Sequence, residues 1–406
     1  MVDPLFLKRY NLVLIRYSEI WLKSQKVKIR MLKYLISNIG NILKRRGIRF
    51  NKYQISKDSS RIFFFFNNED IPNAIKVLRN AFGVHSISPA IRTSNKLKNI
   101  TERAIDIARD VLERNDSFAV RVKRSGSHNY TSMEVAQIVG KSIIDNFPNY
   151  NLKVNLTQPI KQIFIEVRGE FTYIFSQVIK SKWGGLPIEP QKKMLVMDIG
   201  RLNDLLAGFL LLRRGSEIYP ILIDIKMNKD ENEIWLSNWK EVGEYIPYSR
   251  FQLTKIDIYD ILQKINLDSS DMQYFCGICR LIRFEILSKI LVNLKFHFHN
   301  KVRACVDGTS LNSSSLCPDS IDLETLAINN LISKIPIFTP IIGFGEARKN
   351  DFMLKISKNL RNVNYCPFKP ENQEFDYKKI KNIYDNLKID KLLDESIEKG
   401  LDIKIF

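Results

Sequence analysis

The sequence predicts an α/β and α+β protein of three domains in series: a ferredoxin-like domain, a second small mixed domain, and a doubly wound domain built on a parallel sheet. Three observations carry this. Between Lys193 and Gly215, KMLVMDIGRLNDLLAGFLLLRRG reads as a buried strand, a tight turn and a helix, because the apolar run Met194 to Met197 suits a parallel strand and Leu205 to Leu212 a helix packed on it. Ahead of it, short β-branched and aromatic runs alternate with amphipathic helical patterns. Charge divides along the same line: residues 1–185 hold 32 Lys and Arg against 14 Asp and Glu, net +18, while the rest of the chain carries only +1.

The first domain is expected over residues 1–88. Leu12 to Arg16 is a strand, Val27 to Arg46 a helix with Ile29, Leu32, Ile36, Ile39 and Leu43 on one face, Arg61 to Phe66 a strand, and Ile71 to Ala81 a helix. The run Phe63 to Phe66 reads as a strand buried on both faces more readily than as a base-stacking surface. Opposite the apolar face of the first helix lie Lys26, Lys28, Lys33, Lys44, Arg45 and Arg46, with almost no acid among them.

The second domain spans residues 89–185. Leu97 to Arg114 is helical, Phe118 to Val122 a strand and Ser132 to Asn146 a helix capped by Thr131 or Ser132. Gln162 to Val167 and Tyr173 to Val178 form a hairpin turning at Arg168-Gly169-Glu170. A basic, glycine-containing loop, Arg121 to His128, precedes the capped helix, so Lys123, Arg124, Ser125 and His128 are candidates for holding backbone phosphates; Lys182 adds a cation near the domain's end.

Charge confined to one half of a chain is the footprint of a polyanionic partner, and the interleaving of basic with core residues favours nucleic acid over a membrane surface. No apolar run approaches the ~18 residues of a membrane span, and Met1 to Tyr10 lacks the apolar core of a signal peptide, so a cytoplasmic protein is expected. Five cysteines, all in the last third, are an odd set that argues against a secreted disulfide framework.

The third domain, residues 186–406, turns on the loop Ile199-Gly200-Arg201-Leu202-Asn203-Asp204. Its place between strand and helix is where phosphates bind, at free backbone N–H groups and a helix's positive end. Its residues suit phosphate poorly, with one glycine, no hydroxyl, a bulky cation and a terminal acid. Gly200, Arg201, Asn203 and Asp204 are the candidate nucleotide contacts. Cys276 and Cys279 form a CxxC ahead of an amphipathic helix, Arg280 to Leu294, and are candidates for a metal, cluster or redox site, or for core packing. Cys305 fits a buried strand, Cys317 an incidental loop position, and His85, His128, His297 and His299 show no ligand spacing.

These residues also carry a family resemblance. LIRYSEIWLKSQ (Leu14 to Gln25) with Asn38-Ile39, FAVRVKRSGSHNYTSMEVAQIVG (Phe118 to Gly140), WGGLPI (Trp183 to Ile188), LLLRRG (Leu210 to Gly215), the CxxC, VDGTSL (Val306 to Leu311), PIIGF (Pro340 to Phe344) and YCPFKP (Tyr365 to Pro370) resemble the tRNA 4-thiouridine synthetase, or tRNA sulfurtransferase, family from end to end. The resemblance implies a ferredoxin-like domain, a THUMP domain that binds the tRNA acceptor end, and a PP-loop ATP pyrophosphatase domain, in the archaeal form without a rhodanese domain. It also implies a catalytic role for Cys366, and a sulfur relay or iron–sulfur cluster on Cys276, Cys279 and Cys366. The family's Ser-Gly-Gly-x-Asp-Ser falls on Ile199 to Asp204 here; its Gly-Glu-Ser-Leu is Gly308-Thr309-Ser310-Leu311, and its Arg-Pro is Thr339-Pro340. These departures imply a degenerate site without ATP and magnesium. The leading expectation is a tRNA-binding protein of the 4-thiouridine pathway that does not adenylate uridine by itself and depends on a sulfur donor or ATP-competent partner. The alternatives are an active ATP-dependent tRNA sulfurtransferase and a tRNA-binding partner of another modification enzyme.

Overall fold

Branched and aromatic runs form the strands of two sheets, one in a unit ending at Pro187 and one in a unit beginning at Ile188. The computed structural model describes residues 9–17, 19–265, 267–268, 270–293, 295–296, 302–311, 333, 335–363 and 366–406; Cys317, His297, His299 and Tyr365 lie outside them.

The N-terminal unit runs β1 (Leu12–Arg16), α1 (Gln25–Arg45), β2 (Lys52–Ile55), β3 (Ile62–Phe65), α2 (Ile71–Leu78) and β4 (Ser86–Ser94), a ferredoxin-like order. It continues with α3 (Leu97–Val111), β5 (Ser117–Ser125), α4 (Ser132–Asn146), β6 (Lys153–Val154), β7 (Lys161–Arg168), β8 (Phe171–Phe175) and β9 (Ile179–Lys180). The strands lie in the order β2-β3-β1-β4-β8-β7-β5-β6, with β9 on β4. β4 joins the two halves: Ser86 to Ala90 pairs with β1, and Ile91 to Ser94 with β8. The strand therefore crosses the expected boundary at residue 88.

Phe63 to Phe66 are all buried, as expected of a strand covered on both faces. Phe64 and Phe66 enter the main core, while Phe63 stacks on Tyr173 at 4.0 Å. In α1 Leu32, Ile36, Ile39 and Leu43 are buried as expected, but the buried stripe is centred further round the helix, through Lys28, Met31, Leu35 and Ile42. Ile29 is consequently exposed, and Lys28, expected on the open basic face, is buried with its ammonium 3.9 Å from the centre of the Trp21 ring. Thr131 caps α4, its hydroxyl accepting the Glu134 N–H while the Glu134 carboxylate accepts the Thr131 N–H. β5 extends beyond Val122 because it stays paired in parallel with β7 as far as Ser125 opposite Arg168. Lys123, Arg124 and Ser125 therefore stand on a strand rather than in a loop.

The C-terminal unit comprises β10 (Lys193–Asp198), α5 (Leu202–Arg213), β11 (Glu217–Asp224), α6 (Lys229–Gly243), β12 (Gln252–Asp257), α7 (Tyr259–Lys264), α8 (Phe275–Val292), β13 (Val302–Val306), β14 (Ile337–Phe338), α9 (Glu346–Ile356), α10 (Tyr377–Asn386), α11 (Asp390–Glu398) and β15 (Leu401–Lys404). The order β14-β13-β10-β11-β12-β15 is parallel apart from the antiparallel edge strand β15. β10 is covered on both faces. Leu195 and Met197 join the core formed with α8, whereas Val196 faces α5, where a side chain on Gly208 would come within 3.0 Å of it. β10 is also where the strand order reverses, the crevice at which doubly wound sheets bind ligands.

Candidate functional site

The chain leaves β10 through Asp198 and turns at Gly200, whose φ of +87° favours glycine. α5 starts immediately afterwards, with Arg201 in extended conformation at its N-cap. Two of the turn's backbone donors are taken by its own carboxylates. Gly200 N–H donates to Asp198 Oδ1 at 2.7 Å, and Ile199 N–H to Asp204 Oδ2 at 3.2 Å. Arg201 donates through Nε to Asp204 Oδ2 (3.1 Å) and through Nη2 to Oδ1 (2.8 Å). Trp235 and Trp239 on α6 donate their indole N–H groups to Asp198 Oδ2 at 2.7 and 2.6 Å. Burial, and then the charge of Asp204, push the Asp198 carboxyl up to about 7 against the pull of these donors.

Neighbouring segments close over this turn. A side-chain carbon on Gly200 would lie 2.2 Å from Met227 Cε, and one on Gly308 would lie 2.3 Å from Asp204 Oδ1. Arg280, fully buried on α8, donates through Nη2 to Asp307 Oδ2 (2.5 Å) and Thr309 Oγ1 (2.8 Å), and Thr309 in turn donates to Asp307. Burial alone would raise the Asp307 carboxyl; Arg280 and then Arg201 hold it below the usual range. Arg283, one turn further along α8, donates from Nε to the Cys279 carbonyl at 3.3 Å. Three buried carboxylates (Asp198, Asp204, Asp307) thus stand with three buried guanidiniums (Arg201, Arg280, Arg283), and Asn203 is buried beside them.

Gly200, Arg201, Asn203 and Asp204, the expected nucleotide contacts, lie on this turn and the first residues of α5. The partners Asp198, Trp235, Trp239, Arg280 and Asp307 were missed. The available signal was an acid at the carboxyl end of each of two adjacent strands, β10 and β13, where a parallel sheet places its site.

Cys276 and Cys279 are placed differently from expectation, whereas Cys305 is on a buried strand as expected. α8 begins at Phe275, so Cys276 and Cys279 lie inside its first turns and not ahead of it, and both are buried. Cys305 is buried on β13, and Cys366 is half-buried against the core that contains Cys279. Among the described residues, which include Cys276, Cys279 and Cys366, no group of three His, Cys, Asp or Glu side chains is arranged to hold a metal ion.

In the N-terminal unit, Lys123 is exposed, and Arg124 donates from Nε to Ser132 Oγ at 3.3 Å at the start of α4. His128 stacks on Tyr130 with ring centres 5.8 Å apart, and the Arg124 guanidinium lies 6.0 Å from the same ring. Ser125 turns the other way, donating to Asp58 at 3.1 Å. There it joins a network that sequence reading missed, in which Arg16, Arg61 and Arg168 converge on buried Glu166 at 3.0, 3.0 and 2.7 Å. Lys26 is exposed on α1. Lys182 is half-buried, its ammonium lowered by burial and then by Arg79.

Comparison with known proteins gives three matches in chain order. Residues 12–88 match the ThiI ferredoxin-like domain, 94–177 the THUMP domain, and 191–366 the family described as thiamine biosynthesis protein (ThiI). A probable tRNA sulfurtransferase of Methanosarcina acetivorans is 26% identical over 376 residues, covering 90% of this chain and 86% of that one. One of Saccharolobus solfataricus is 28% identical over 363 residues, covering 87% and 90%. Among solved structures, a 4-thiouridine synthetase in complex with RNA and bound ATP shares the fold with a TM-score of 0.79 at 18% identity, covering 98% of this chain and 100% of that one. PH1313 from Pyrococcus horikoshii gives 0.63 at 23%, covering 85% and 99%.

Proposed function

Because this chain belongs to the ThiI family of tRNA sulfurtransferases, we propose that it binds tRNA through its N-terminal unit and serves tRNA thiolation with a nucleotide loop that no longer holds ATP by itself. The observation that carries this is the self-satisfied turn. A phosphate at a helix N-terminus is held by free backbone N–H groups. Here the Ile199 and Gly200 amides donate to Asp204 and Asp198, and the cation nearest the loop, Arg201, is paired with Asp204. In this reading the residues present do not fit a triphosphate, because two of the turn's amides already donate to the chain's own carboxylates. In this reading Cys366, the family's sulfur-bearing position by resemblance, acts on sulfur supplied by a donor, and the adenylating chemistry comes from a partner.

The tRNA reading is supported by the net +18 of residues 1–185 and by Arg124, held at the start of α4 with Tyr130 and His128 next to it, where a cation and a helix end both favour phosphate; Lys123 is exposed one position before it on β5.

Thermal unfolding with and without ATP tests the loop. A ligand at ~100 times its dissociation constant would stabilise the fold by ~2.7 kcal/mol, and none of that is expected. Rebuilding the family loop (Ile199→Ser, Arg201→Gly, Asn203→Asp and Asp204→Ser together) should create an ATP-dependent shift. A shift in the unmodified protein that Arg201→Ala abolishes would overturn the proposal in favour of an active ATP-dependent sulfurtransferase.

A further inference from the structure

α1 and the edge strand β2 enclose a groove of about 970 Å³ that the nucleotide loop and the Lys123 region do not involve. Its apolar floor includes Ile48 and Ile55. Its wall is Phe50 and Tyr53, and its rim carries Lys33, Lys44 and Arg49; no lining residue is acidic. The volume is in the range of small-molecule sites.

The groove lies along a polar face of α1 that carries small residues, Ser37 and Gly40, where a core helix carries large ones. Ser37, Gly40, Asn41 and Lys44 follow one another at helical spacing along it. Gly40 is the informative member. A glycine inside a helix weakens it, and tight packing is the usual reason for keeping one. Here a side-chain carbon at Gly40 would meet nothing closer than the Phe50 ring, at 3.8 Å, an ordinary contact distance. The space is left open on the side facing the aromatic wall.

That wall is held in place before any ligand arrives. Phe50 meets Phe64 edge-on at 5.0 Å, and Tyr53 lies tilted against Phe64 at 5.9 Å, yet Tyr53 remains 51% exposed. A fixed, half-open aromatic ring beside three cations and no acid matches the two parts of a nucleotide, a π-face and a phosphate. An acidic peptide would use the cations but leave the ring and the apolar floor unmatched.

We propose that this groove holds an unpaired nucleotide of a bound RNA, with its base against Tyr53 and the flanking phosphates on Lys33, Lys44 and Arg49. The proposal rests on the reading that the N-terminal unit binds RNA, and names a second contact within it. Paired bases are stacked on their neighbours and cannot enter, so the groove selects single-stranded ends or loops.

Binding of the full chain to fluorescent RNA tests this, using a single-stranded oligonucleotide, a blunt duplex of the same length, and AMP. Tyr53→Ala and Gly40→Leu, which fills the groove, should each weaken single-stranded RNA about tenfold and leave the duplex unchanged. Tyr53→Phe should bind as wild type, and thermal unfolding should show all three variants folded. AMP should bind far more weakly than the oligonucleotide, since it offers one phosphate to three cations; AMP binding as tightly would make the groove a mononucleotide site and overturn the proposal. So would unchanged single-stranded binding in Tyr53→Ala and Gly40→Leu, or a polyglutamate peptide that displaces the oligonucleotide from wild type but not from Gly40→Leu. If the wild type binds no RNA at all, the reading of the N-terminal unit fails; if it binds RNA and only the Lys123→Glu, Arg124→Glu double variant weakens it, that reading stands and the groove is refuted.

Discussion

Removing the Arg201 side chain should cost more stability than removing both members of its ion pair. Asp204 has 1% of its side chain exposed and accepts three hydrogen bonds, two of them from Arg201. In Arg201→Ala the carboxylate keeps only the Ile199 amide and stays buried near a second carboxylate, Asp198, whose proton affinity it already raises. Leaving one buried charge uncompensated costs about 3–5 kcal/mol, whereas replacing a buried pair by neutral groups is often close to neutral. The double variant Arg201→Ala, Asp204→Ala loses the Ile199 amide's acceptor but no longer buries a charge without its partner, so it should be less destabilised than Arg201→Ala by at least about 1 kcal/mol. The Asp204→Ala single variant completes the cycle, and a coupling of about 2 kcal/mol or more is expected between contacting groups of this kind. Urea unfolding followed through Trp235 and Trp239, which both donate to Asp198, reports on this site directly. Losses that add within about 0.5 kcal/mol would refute the argument, since they would mean that the two side chains do not compensate each other.

Two further outcomes follow from the geometry. Burial works to raise the Glu166 carboxyl, but Arg16, Arg61 and Arg168 together hold it down to about 2, against 4.5 when unperturbed; the stabilisation, about 3 kcal/mol, is present above pH ~4.5 and lost as pH falls towards 2. Protection of β7 amides from hydrogen exchange, relative to the intrinsic rate at each pH, should fall across that window in the wild type and show no such step in Glu166→Gln. Among the four described cysteines, half-buried Cys366 should be alkylated first in the native protein, and Cys305 should resist because burial, and then Asp307, raise its thiol; equal labelling of the two by peptide mass spectrometry would contradict their placement.

Local pattern was enough for most elements. The apolar spacing in α4, the phenylalanine run of β3 and the hairpin at Gly169 each reflect chemistry between residues a few positions apart, so their structure is legible in order along the chain. The concentration of positive charge in residues 1–185 is likewise a property of sequence alone. That Ile199 to Asp204 holds one glycine and no hydroxyl is another property of sequence alone.

What fills that loop was decided only by the tertiary structure. Asp198 finds its indole donors 37 and 41 residues away, and Arg280 finds Asp307 27 residues away. No periodicity encodes such partners, because they are set by which strand ends and helices the sheet brings together. The same reason explains the smaller departures. The phase of α1's buried stripe leaves Ile29 exposed and Lys28 covered, with its ammonium over Trp21, pairing with β7 determines how far β5 runs, and the start of α8 at Phe275 turns a CxxC into helix interior. Sequence determined the elements and the sign of the charge; whether a charged side chain is open to a ligand or already paired depends on long-range neighbours, since burial and ion pairing are properties of atoms close in space.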